Sequence, residues 1–200
     1  MADGSGAARG RPRDPGLEDR VLDVAIALYA EAGWAGFTFE AVARRSGVGK
    51  AALYRRWPSR GELLRQTFEA RWFAVDRINS GTLRGDLTAL ARMIFTTLTS
   101  PYGAASRWMA MDAVQHAEVR AVSAPYSEAA IRQGRAIARR AIARGEIAAS
   151  VNPGLLMDLV VGAVTNHVAT TPARLKPAMM DQREGFIATL VDTVLRGVGA

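Results

Sequence analysis

Cysteine is absent from this 200-residue chain, and histidine occurs only at His116 and His167. Neither a disulfide framework nor a Cys/His zinc site can be built from that inventory, and the redox compartment stays open. Long apolar runs are missing too. The longest, around Leu155 to Val164, is broken by Asp158 and Gly162 and falls short of the roughly 18 residues that would suggest a membrane span. The opening MADGSGAARGRPRDPG lacks the apolar core of a signal peptide, so the expected location is the cytoplasm. A phosphate loop is excluded as well. Gly49-Lys50 resembles the end of G-x-x-x-x-G-K-[ST], but Arg44 stands at the first glycine and Ala51 at the hydroxyl. No nucleophile–base set or metal cluster is visible either, so neither an enzyme nor a cofactor is expected.

What remains is a globular composition, 49% hydrophobic and 22% charged, with a net charge of +7. That charge favours an anionic partner, either nucleic acid or a membrane surface. Residues 1 to 13 are too poor in large apolar groups to repay ordering and are expected to form a basic arm. Asp14-Pro15 then supplies a cap and a first-turn proline, and Val21, Leu22, Ala25, Leu28 and Tyr29 recur at helical spacing until Gly33.

A second, short helix follows, capped by Thr38 with Glu40 in its first turn and Phe39, Ala41 and Val42 facing inward. Gly47-Val48-Gly49 turns the chain into KAALYRRW, which Pro58 ends. Ser59, with Glu62 three residues on, predicts a capping box opening a fourth helix with a stripe of Leu64, Phe68, Trp72 and Val75. Gly and Pro punctuation divides the rest into five helices near 84–99, 104–118, 125–144, 153–170 and 181–197. No strand alternation, internal repeat or heptad is present. The fold class is all-α.

Helix, glycine turn, short helix is the helix-turn-helix arrangement, whose second helix enters the major groove. Residues 41–60 carry Arg44, Arg45, Lys50, Arg55, Arg56 and Arg60 with no Asp or Glu, enough to neutralise several phosphates. Small residues at Gly49, Ala51 and Ala52 let the helix lie close to base edges, while Leu53 and Trp57 should face the core.

On these residues the chain resembles the TetR-type bacterial transcriptional regulators. The resemblance runs through Tyr29, Gly33, Phe37-Thr38-Phe39, Val42-Ala43, Ser46-Gly47-Val48, Lys50-Ala51-Ala52-Leu53-Tyr54, Trp57, Ser59-Arg60 and Leu63-Leu64. Gly49 departs from the family's usual Ser or Thr, and Ala52 from its usual Thr. Further along, RGDL, SPYG, ARGEI, NPGLLMDLVVGAV and LVDTVLRG resemble the family's C-terminal regulatory domains.

The resemblance implies about nine helices: a basic arm (1–13), a helix-turn-helix DNA-binding domain (14–60), and a larger C-terminal domain (61–200) for ligand binding and dimerisation. It implies a homodimeric, cytoplasmic repressor that binds a pseudo-palindromic operator in double-stranded DNA and is released by a small-molecule effector. Thr38, Tyr54 and Arg60 would contact phosphate; Lys50, Ala51, Ala52 and Arg55 would lie nearest the bases; Arg56 could do either. Arg9, Arg11 and Arg13 would enter the minor groove or form a solubilising tail.

For the effector pocket, Trp108, Met109, Met111, Asp112, Gln115 and His116 offer apolar walls with few polar groups, although core packing accounts for the apolar members equally well. Dimer contact is expected from Leu156, Leu159, Val160, Ala163 and His167 with Phe186, Leu190 and Val194. Arg132, Arg135, Arg139, Arg140 and Arg144 read as a solvated helix face. The alternative function is a basic helical protein bound to a membrane surface. Only Ile131–Arg144 could provide its amphipathic helix, and alanine dominates the apolar side.

Overall fold

The computed structural model describes residues 16–69 and 77–199, with the side chain of Pro101 excepted. Among them it is all-helical: α1 (Leu17–Gly36), α2 (Phe39–Ser46), α3 (Lys50–Arg56), α4 (Arg60–Glu69), α5 (Leu83–Thr99), α6 (Pro101–Gln115), α7 (Ala117–Ala143), α8 (Pro153–Thr170), α9 (Lys176–Asp181) and α10 (Arg183–Gly197). The arginine arm, the Asp14-Pro15 helix start and the Trp72 and Val75 members of the fourth helix lie outside the described residues.

Two hydrophobic cores organise these helices. The first gathers α1 to α4 with Ala105 and Met109 of α6 and Val119 and Val122 of α7. The second gathers α5, α8 and α10 with Ile137, Ala138 and Ala141 of α7, plus Ile147 and Met179. Helix α7 therefore runs through both. This explains a departure from expectation: α7 starts at Ala117, not at 125, and Pro125 lies inside it. Proline removes one backbone bond, but burial on each side holds the two halves in line. The same burial leaves no amphipathic face for a membrane, because Ile137, Ala138 and Ala141 of the candidate segment face the subunit's own core.

Two further boundaries differ from the punctuation reading. Proline at the first turn of a helix costs no hydrogen bond. Thus α6 begins at Pro101, capped by Ser100, and a separate short α9 carries Pro177 in its first turn. The described residues consequently form ten α-helices and a 3₁₀ turn at Ala173–Leu175.

Gly33 breaks α1 with φ of 58°, the left-handed side that favours glycine. A Cβ there would come within 2.8 Å of the Trp108 ring and 3.2 Å of the Asp112 carboxylate. Close approach of α6 thus requires glycine at this position for a second reason. The backbone freed by the break donates from Trp34 N–H to Asp112 Oδ2 at 2.8 Å, and the Tyr29 hydroxyl donates to the same oxygen at 2.8 Å. Burial, followed by Asp112, pushes the Tyr29 phenol up, so it remains the donor through the neutral range.

In the second core, Asp86 is fully buried at the start of α5. Its carboxylate accepts from Ser80 N–H at 2.6 Å, from the Ser80 hydroxyl at 2.8 Å and from Arg140 at 3.3 Å. Arg140 also donates to the Ile78 carbonyl at 2.7 Å, which corrects its reading as part of a solvated face. Arg144 likewise pairs with Glu146. Replacing Asp86 with alanine leaves the Ser80 N–H without this acceptor and removes one of two acceptors from Arg140 and from the Ser80 hydroxyl. Asp86→Ala is expected to lower stability by about 1–3 kcal/mol, measured as a reduced urea midpoint at unchanged m-value.

Candidate nucleic-acid interface

Helix α2 starts where the Thr38 side chain accepts the Ala41 N–H at 3.1 Å. It stops at Gly47, whose φ of 71° is the left-handed cap the turn requires, with its N–H returned to the Ala43 carbonyl. Three residues later, at Lys50, α3 begins. At its far end the Ser59 hydroxyl accepts the Glu62 N–H at 3.1 Å, whereas the Glu62 carboxylate turns to Arg65 and Gln66 in place of closing the capping box. Arg65 holds that carboxyl below its ordinary range.

Helix α3 has two unlike faces. Leu53 and Trp57 are completely buried, and the Trp57 indole N–H donates to Gln66 at 2.9 Å. Lys50, Ala51, Tyr54, Arg55 and Arg56 are exposed, with Ala52 half-buried. Tyr54 is 52% exposed and packs against Phe39 with ring centroids 4.5 Å apart, so it stands on the surface and not in the core. Thr38 is half-buried at the edge of this surface. Arg60 is held differently: its guanidinium lies 3.8 Å over the Trp34 ring and donates to the Trp34 and Phe37 carbonyls at 3.2 and 3.4 Å. One nitrogen makes both bonds, and the remaining donors are left for an outside acceptor.

The surface is less positive than its own segment suggests. Lys50 pairs with Glu40 at 2.7 Å, Arg45 with Glu31, and Arg56 with Glu18. These acids come from α1 and the first turn of α2, so inspection of residues 41–60 could not find them. Lys50 draws the Glu40 carboxyl down, and Arg45 does the same to Glu31. Exposed pairs of this kind are worth about 0.2–1 kcal/mol, little enough for a phosphate to displace them. Arg44 and Arg55 have no ion pair among the described residues.

The residues expected to line an effector pocket lie elsewhere. Met109 is buried in the first core, Asp112 holds α1, and the His116 ring sits 6.4 Å from that of Trp34. Trp108 covers Gly33, while Met111 and Gln115 are exposed. None of the six lines any of three cavities of about 680, 500 and 330 Å³ in the rest of the molecule. The 108–116 segment packs at the seam between α6 and the helix-turn-helix unit.

The dimer residues divide. Leu156, Val160 and Val194 are buried in the subunit's own core. Leu159 is exposed, Ala163, Leu190 and Phe186 are half-buried, and His167 stacks on Phe186 at 3.9 Å between centroids. Leu155 and Val161 add to the exposed apolar surface of α8. Alternating apolar pairs in LLMDLVV left the sequence with no signal for which face points outward.

Residues 21–67 match the family described as bacterial regulatory proteins, tetR family, and residues 78–194 match the tetracyclin repressor-like C-terminal domain. An uncharacterised HTH-type transcriptional regulator of Mycobacterium tuberculosis is 34% identical over 166 residues, covering 76% of this chain and 78% of its own. The DNA-binding transcriptional repressor TetR of Mycobacteroides abscessus is 29% identical, covering 94% of each. The crystal structure of the TetR family transcription regulator SCO0332 superposes with a TM-score of 0.59 at 28% identity, over 92% of this chain and 98% of that one. A short helix presented on a buried back face, a capped helix before it and matches over both halves converge: this chain belongs to the TetR family of bacterial DNA-binding transcriptional regulators.

Proposed function

We propose that this regulator is a cytoplasmic repressor that binds a pseudo-palindromic operator as a homodimer and is released by a small molecule. The observation that carries this reading is the exposed Lys50-Ala51-Tyr54-Arg55 face of α3, backed by the buried Leu53 and Trp57. In this reading residues 14–60 bind DNA and 61–200 bind the effector and the second subunit. Thr38, Tyr54 and a free donor of Arg60 hold phosphate. Lys50, Ala51, Ala52 and Arg55 approach the base edges, and Arg56 serves either purpose once it exchanges Glu18 for DNA. Arg55 is the strongest candidate for base contact, because it is exposed and has no ion pair among the described residues, and the guanidinium fork suits guanine.

Two-fold symmetry of the protein demands two-fold symmetry of the site. The second subunit has a surface to use: Leu155, Leu159, Ala163, His167, Phe186 and Leu190 offer apolar area that this subunit leaves wholly or partly uncovered. A repressor function agrees with the name of the mycobacterial relative. No helix among the described residues is long and apolar enough to cross a membrane.

Selection from a random double-stranded DNA pool tests the DNA reading. Wild type should enrich one inverted repeat, and Arg55→Ala should lose about 1–3 kcal/mol on it and tolerate substitutions at one base position. A uniform loss across all sequences would make Arg55 a phosphate contact only. No enrichment by wild type would refute the operator reading. For the dimer, Leu159→Glu adds a charge to an exposed apolar position while leaving the core intact. Sedimentation equilibrium should show monomers where wild type is dimeric, with operator affinity falling at least tenfold; an unchanged dimer would place the interface elsewhere.

A further inference from the structure

The largest of the three cavities lies where the α5–α6 junction meets the end of α8 and the short α9. Its volume of about 680 Å³ is within the ordinary range for small-molecule sites. Leu98, Val168, Met179 and Met180 make an apolar floor; two methionines give it an adaptable shape. Among the described residues its charged lining is Arg107 from α6 and Lys176 from α9, with no carboxylate.

Those two cations are set apart by their place on one cavity wall, since Arg44, Arg55, Arg120, Arg135, Arg139 and Arg174 likewise have no ion pair among the described residues. Arg45, Lys50, Arg56, Arg65, Arg84, Arg92, Arg140 and Arg144 all have acidic partners, whereas Arg107 and Lys176 have none among the described residues. The hydroxyls at the same wall are already committed. Thr99 donates to the Phe95 carbonyl, and Ser100 donates to the Thr97 carbonyl while capping α6. An occupant would therefore be selected by charge and by apolar bulk, not by a hydroxyl network. The other cavities lack this combination: the 500 Å³ one has no charged lining residue, and the 330 Å³ one holds Arg135 together with Asp158.

We propose that this cavity is the effector site and takes an amphipathic anion, an apolar body carrying one carboxylate or phosphate held between Arg107 and Lys176. The effector role rests on the regulator reading above; the binding chemistry does not. Arg107 precedes Asp112 on α6 by five residues, about 7.5 Å along the axis. An anion drawing α6 toward α9 thus acts on the helix whose Asp112 holds Tyr29 and Trp34 of α1. To alter DNA binding, it must favour one arrangement of these helices over another.

The test uses the full chain and four probes with the same twelve-carbon tail, each below its micellar concentration: dodecanoate, dodecyl phosphate, dodecanol and dodecyltrimethylammonium. Calorimetry should show at least one anion binding at least tenfold tighter than the alcohol and the cation. The double variant Arg107→Ala, Lys176→Ala, exposed at both positions and checked for wild-type helicity, should lose that difference. Equal binding of all four head groups, no binding of either anion, or anion binding unchanged in the variant would overturn the proposed site.

Adding the better anion to the complex of wild type with its selected operator should weaken DNA binding at least fivefold, and in the variant it should not. Tight anion binding with unchanged operator affinity would overturn the effector role while leaving the anion site standing. Failure of the ligand-free protein to select any operator would instead count against the regulator reading.

Discussion

One buried carboxylate fixes where the DNA-binding helices sit. Asp112 receives two hydrogen bonds from α1, from a side chain at Tyr29 and from the backbone at Trp34, and the second exists only because Gly33 turns the chain out of the helix. Charge-assisted bonds of this kind each contribute about 1.5–3 kcal/mol. Their geometry matters as much as their energy. Trp34 then lies under the Arg60 guanidinium, and Arg60 ties the end of α1 to the start of α4. The orientation of α2 and α3 thus depends on α6, a helix outside the DNA-binding segment.

This arrangement makes the molecule two cores linked by shared helices. Helix α6 packs into the first core yet adjoins α5 of the second, and α7 contributes side chains to both. A change at the C-terminal helices has only a few rigid elements through which to reach α3. The basic surface of α2 and α3 is lightly neutralised by Glu18, Glu31 and Glu40, in exposed ion pairs that exchange partners at small cost. Arg44 and Arg55 stand apart from those pairs.

Local chemistry was legible in the sequence wherever one residue decides an outcome. Thr38 caps α2, Gly47 ends it in the left-handed region, and Leu53 and Trp57 face inward as their spacing required. The helix at 125 was misplaced because tertiary burial on both sides outweighs one missing N–H at Pro125. Asp112 resembled a pocket acid because its partners are 78 and 83 residues away. The choice between Leu155 and Leu156, or Leu159 and Val160, as outward-facing was hidden by a helix that is apolar around much of its circumference. The ion pairs that temper the recognition surface escaped for the same reason as Asp112: contact across elements leaves no periodicity.

In the proposed dimer, two α3 helices presented by a symmetric pair of subunits occupy successive major grooves. A hydroxyl-radical footprint of the protein on its selected operator tests this most directly. Two equivalent protected regions related by a dyad are expected, on one face of the duplex and about 34–36 Å apart or a multiple of that. A single protected region, or protection without two-fold symmetry, would contradict it.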